Sequence, residues 1–200
     1  MTEGRNAVLA PAPPKIRGTA QAWIESIADD PEAVSAFAVA RRTLAAGAAL
    51  AGLRRMRLIE IEGVLPEAGS LAARLHDSTR FYNPNKERCH LRVTEADLPP
   101  LAAGEAAALV FDRDGEKRVA SERWWKRITG AAAKVREGTA WIASATPGHS
   151  ALEVLAELLE VRDARHGLLC NPNAQEFRGP VAAVPLRWFA SRAASGRKRP

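Results

Sequence analysis

The alternation of apolar and polar positions changes period several times along the chain, and those changes predict its elements. Residues 18 to 30 (GTAQAWIESIADD) set Ala20, Trp23, Ile24 and Ile27 three and four apart, one stripe of a short helix. A second helix is expected from Glu32 to about Leu53. Asp30 before Pro31 is an N-cap followed by the first helical position, and the Ala-rich stretch carries high helix propensity, with Gly47 and Gly52 weakening its end. At 56 to 63 (MRLIEIEG) the period falls to two, with Arg57, Ile59 and Ile61 sharing one side of a strand. A short helix over 70 to 80 and an alternating strand over 88 to 93 follow, separated by FYNPN, and a Pro-Pro break stands at 99 and 100.

The second half begins with AALVFDRDGEKRVAS (107 to 121), where Asp114-Gly115 between alternating segments reads as a hairpin. Residues 122 to 138 are ambiguous between strand and helix, and helix closed by Gly138 is preferred. A strand over 139 to 145, a turn ending in a capping Ser150 and a helix over 151 to 161 come next. HGLLCNPNAQEF (166 to 177) leads into an edge strand over 180 to 191, since Pro180 and Pro185 cannot donate to a central ladder.

Placed side by side, these readings contain a repeat. LIEIEG to SLAARLHDSTRFYNPNKE and AWIASA to SALEVLAELLEVRDARHGLLCNPNAQE both run strand, turn, helix, apolar pair, Asn-Pro-Asn, then a polar stretch with Glu. Proline fixes φ and keeps its predecessor extended, while either Asn can bond to nearby backbone, so Asn83-Pro84-Asn85 and Asn171-Pro172-Asn173 are expected as rigid corners, structural or binding. Two strand-helix-strand units plus a hairpin predict an α+β fold, a ferredoxin-like sandwich with one sheet covered on one face by helices.

The corner also carries a family resemblance. SALEVLAELLEV and GLLCNPNAQEF resemble the end of the PurS small subunit of phosphoribosylformylglycinamidine synthase, and LAARLHDSTRFYNPNKERCHLRV is a shorter echo. The resemblance implies a duplicated ferredoxin-like module that works by assembly in multimers without contributing catalytic side chains. The implied organisation is an arm over 1 to 17, helices over 18 to 55, the duplicated domain over 56 to 190 and a disordered basic tail over 191 to 200.

Charge narrows the function classes. The net charge of +6 belongs to the C-terminal end, where Arg178, Arg187, Arg192, Arg197, Lys198 and Arg199 occur with no acid after Glu176. Trp124 and Trp125, flanked by Arg123, Lys126 and Arg127, are candidate contact anchors for a protein partner or a second copy. The same segment, with Arg187, Arg192, Arg197, Lys198 and Arg199 of the tail, supports an alternative reading as a nucleic-acid-associated protein. A third reading is an enzyme with a site between the halves. Cys89, Cys170, His76, His90, His149 and His166 lie near the repeat ends but follow no CxxC, HxxxH or HExxH spacing, so neither a metal nor another cofactor is expected. The apolar tracts are too short to span a bilayer, the N-terminus does not read as a signal peptide, and two cysteines make no disulfide scaffold. The cytoplasm is the expected compartment.

Overall fold

A computed structural model describes residues 16–113 and 119–191. One six-stranded sheet organises them, in which every neighbouring pair is antiparallel. The elements in chain order are β1 (Ile16–Ser26), α1 (Pro31–Thr43), a short 3-10 turn (Ala45–Ala49), β2 (Leu50–Leu65), α2 (Ala68–Ser78) and β3 (Glu87–Arg92), then β4 (Ala106–Asp112), α3 (Val119–Thr129), β5 (Ala133–Ala145), α4 (Ala151–Leu159) and β6 (Gln175–Val181). The strand order is β3-β1-β2-β5-β4-β6. Each half therefore runs β-α-β-α-β, with its first strand lying between its second and third, and the halves meet where β2 pairs with β5.

The α+β class agrees with the sequence, but the order within each half is not the β-α-β-β-α-β expected of a ferredoxin-like sandwich. The chief correction is β1. It is a strand, buried on both faces over residues 19–24, with Ala20, Ala22 and Ile24 toward one side and Thr19, Gln21 and Trp23 toward the other. A strand buried on both sides loses the period-two alternation, so Trp23-Ile24 mimics a helical stripe.

The second helix also ends early, at Thr43. Its start is as expected: Asp30 accepts from the amides of Glu32 and Ala33, and Pro31 takes the first helical position. Beyond Leu44 the chain turns so tightly that a Cβ at Gly47 would collide with the Ala40 carbonyl, and β2 begins at Leu50. Similarly, α3 stops at Thr129, followed by Gly130 at φ 69°, and the Ala-rich stretch after it is already β5. The chain after β4 returns as α3 rather than as a hairpin strand; Asp114-Gly115 lies outside the described residues. Glu67 caps α2 where Ser70 was expected to start it, and the edge strand is Gln175–Val181, with turns rather than strand beyond it.

All four helices cover one face of the sheet. They form two apolar cores, and each core draws helices from both halves. Ala33 and Ala40 of α1 join Val154, Leu155 and Leu158 of α4 over Ala106, Ala108, Val110, Trp141 and Ala143. Leu71 and Leu75 of α2 join Trp125 of α3 over Ala20, Ala22, Ile24, Ile59 and Ile61. Each core is thus shared between the halves, with α1 packed chiefly against β2 and α3 against β5, the two strands at the junction.

The opposite face is covered without helices. Trp188 stacks on Trp23 with ring centroids 5.8 Å apart, and Phe189 lies against Phe111. Polar side chains fasten this C-terminal segment: Gln21 and Arg92 donate to the carbonyls of Pro185 and Val184, and Glu95 accepts from the Leu186 amide. Buried Glu60 pairs with Arg136 and accepts from the Phe189 amide. Burial pushes the Glu60 carboxyl above its ordinary range, although these bonds pull the other way.

Candidate functional site

The two Asn-Pro-Asn corners are built alike. In the first, the Asn83 side chain accepts from the Asn85 amide at 3.0 Å, its carbonyl accepts from the amides of Lys86 and Glu87, and Glu87 Oε2 accepts from the Asn83 amide at 2.7 Å. In the second, Asn171 accepts from the Asn173 amide at 3.0 Å, its carbonyl accepts from Ala174 and Gln175, and Gln175 Oε1 accepts from the Asn171 amide at 3.0 Å. Each is an Asx turn closed by the side chain four residues on. Pro84 is half-buried; Asn83, Asn85, Asn171, Pro172 and Asn173 are exposed.

Strand register places the corners equivalently. Ser26 pairs with Glu87 as Asp112 pairs with Gln175, and Ile24 pairs with Arg57 as Val110 pairs with Thr139. Arg57 and Thr139 also face each other directly across β2 and β5. That pair lies on the line relating the halves, in the gap between the two apolar cores.

Polar side chains gather in this gap. Arg57 donates to the Phe81 carbonyl at 2.6 Å and to Glu87 Oε1 at 3.1 Å, and its other nitrogen is 3.8 Å from Glu137. Glu87 thus holds the corner with one oxygen and Arg57 with the other. Two residues along, Arg55 binds the capping carboxylate of Asp30 at 2.9 Å and also pairs with Glu32. Two clefts flank the α1 N-terminus here. One, of about 450 Å³, is lined by Ser35, Val110, Thr139, Trp141, Asn171 and Gln175, among others. The other, of about 420 Å³, is lined by Ser26, Asp30, Arg55, Asn83, Lys86 and Glu87, among others.

Other expected residues fall elsewhere. Trp125 is fully buried in the α2/α3 core, so it cannot be a surface anchor while the fold is intact. Half-buried Trp124 packs edge-on against Phe81, with centroids 5.2 Å apart. Arg187 is exposed and pairs with Glu62, while Arg192, Arg197, Lys198 and Arg199 lie outside the described residues. Cys89 and Cys170 are both free thiols. Burial pushes the Cys89 thiol up to about 11 and raises that of Cys170, which leaves both protonated at neutral pH and poor nucleophiles. Among the described residues, no group of three or more His, Cys, Asp or Glu is placed to hold a metal ion.

The central polar gap was missed from sequence, although it left a sign. Arg57 shares the apolar side of its strand with Ile59 and Ile61, and an arginine there requires a carboxylate or carbonyl opposite.

Fold and site define a single-sheet α+β protein with two like corners beside a shared polar gap. Comparison with protein-family models, with curated proteins and with solved structures finds no match. No described helix is long and apolar enough to cross a membrane.

Proposed function

We propose that the chain is a non-catalytic, PurS-like assembly module that acts in a homo-oligomer or a larger complex, and that its halves arose by duplication. The matching corner hydrogen bonds and strand registers support the common origin of the halves.

The observation that carries the assembly reading is the contrast between the two sheet edges. At one edge, β6 contains Pro180, which has no N–H to offer an added strand. At the other, β3 has no proline, pairs only with β1 among the described residues, and exposes Arg88 and His90. Beside it stands Leu98, whose carbonyl is 2.9 Å from His90 Nε2 and which is 78% exposed, the highest value among the exposed large apolar residues described. An open ladder next to an exposed leucine suits addition of a strand from a partner or a second copy. The raised thiol pKa values and the carboxylate-paired arginines of the gap favour binding over chemistry.

Analytical ultracentrifugation tests the reading. The wild-type chain is expected to associate, and Leu98→Asp, at a position too exposed to matter for folding, is expected to weaken that association at least tenfold. A strictly monomeric chain that co-purifies with no partner would sink it.

A further inference from the structure

We infer that the outer face of α2 and α3 binds the phosphate backbone of nucleic acid, and does so without relying on the C-terminal tail. This goes beyond the assembly reading and draws on a different surface.

Arg123, Lys126 and Arg127 occupy positions i, i+3 and i+4 of α3, and all three are exposed. Arg74 of α2 joins them: it is exposed, and its guanidinium donates to the Ile128 carbonyl at 3.1 Å, which brings α2 against the C-terminal end of α3. The platform is rigid, since Trp125 is fully buried beneath α3 and Trp124 packs on Phe81.

Among the described residues, this face lacks the carboxylates that neutralise arginines elsewhere. Arg54, Arg55, Arg57, Arg136 and Arg178 each lie within 4 Å of an acid. Arg74, Arg123, Lys126 and Arg127 have no ion pair among the described residues. Of the two acids in α2 and α3, Glu122 is turned inward to accept from the Val135 amide, and Asp77 is alone on α2. Like charges at helical spacing repel and cost the helix about 0.2–0.5 kcal/mol per pair. A cluster retained against that repulsion, on a pinned helix, suits a polyanion. Phosphates fit better than bases, because the exposed side chains of this face are cationic, whereas Trp124 is half-buried and packed edge-on against Phe81.

Fluorescence anisotropy with a labelled single-stranded RNA and a labelled DNA duplex, each followed across a salt series, provides the test. Three full-length proteins are compared: wild type, Arg123→Ala/Lys126→Ala/Arg127→Ala, and the tail variant Arg197→Gln/Lys198→Gln/Arg199→Gln. Each lost phosphate contact lowers the slope of log affinity against log salt by about 0.7 on single strands and 0.9 on duplex. The helix variant is therefore expected to lose about 2–3 of that slope while keeping the wild-type circular dichroism and melting temperature, and the tail variant is expected to keep most of its binding. Which probe binds tighter identifies the strand form. The inference is overturned if wild type binds neither probe at low salt, if only the tail variant loses binding, or if the protein binds phosphatidylserine vesicles but not the oligonucleotides. Each of these outcomes leaves the Leu98 association test unaffected.

Discussion

The two helix pairs cover equivalent halves of one sheet face, yet they differ in chemistry. In one core, α1 and α4 present Glu32, Glu153 and Glu157 outward with Arg41 and Arg42, and bury alanine, valine and leucine with Trp141 beneath. In the other, α2 and α3 present Arg74, Arg123, Lys126 and Arg127 and bury the aromatic Phe81, Tyr82 and Trp125. Register and corner geometry are held in common while surface charge and core composition are not. Backbone hydrogen bonds and Asx turns are fixed by a few short-range requirements, whereas a helix's outer face can change charge without disturbing what lies beneath it.

Neither pair belongs to one half of the chain, and that produces the largest expected effect. If residues 1–100 and 101–200 are expressed separately, the first keeps Ile24, Ile59 and Ile61 but loses Trp125, and the second keeps Val110, Trp141 and Leu155 but loses α1. Each half alone is expected to be unfolded by circular dichroism, and mixing the two is expected to restore a native-like spectrum. A cooperative melt from either half alone would break the account of two cores shared between the halves.

Trp125 sharpens the comparison within the α2/α3 pair. Trp125→Ala empties a fully buried site and is expected to cost about 3–5 kcal/mol in urea denaturation. The indole N–H of Trp125 is buried without a hydrogen-bond partner among the described residues, so Trp125→Phe removes that donor along with some volume. It is expected to cost less than about 1.5 kcal/mol. Similar losses for both variants would show that the nitrogen, not the ring, is what the core holds.

Legibility in the sequence follows the same physics. Strands with one polar side, such as β3, and helices with one apolar stripe, such as α4, announce their period and were placed within a few residues. The corners were legible because proline and asparagine act locally. β1 was not, because both of its sides are buried and its buried Gln21 is satisfied by distant groups, Arg92 and the Pro185 carbonyl. Adjacent Trp124 and Trp125 looked interchangeable, since spacing does not say which of two neighbours turns inward. The polar gap depends on bringing Arg57, Phe81 and Glu137 together, a tertiary fact to which the sequence contributed only an arginine on an apolar strand side.

The smallest effect expected concerns the corners themselves. Glu87 and Gln175 occupy equivalent positions and each accepts the amide of its corner asparagine, but only Glu87 also holds an arginine. The second oxygen of Glu87 faces Arg57, whereas the free amide nitrogen of Gln175 makes a long contact of 3.4 Å with Asp112. Gln175→Ala should therefore cost about 0.5–1.5 kcal/mol, the worth of an ordinary hydrogen bond. Glu87→Ala also strips a charged partner from half-exposed Arg57, and about 1.5–3 kcal/mol is expected. Adding Arg57→Met to both alanine variants isolates the cause. In the Arg57→Met background the cost of Glu87→Ala should fall toward that of Gln175→Ala, leaving only the excess of a carboxylate over a neutral amide oxygen as acceptor of the corner N–H. If the gap between the two costs is undiminished without Arg57, the corners differ by something other than the arginine, and the equivalence drawn from their register is weaker than their hydrogen bonds suggest.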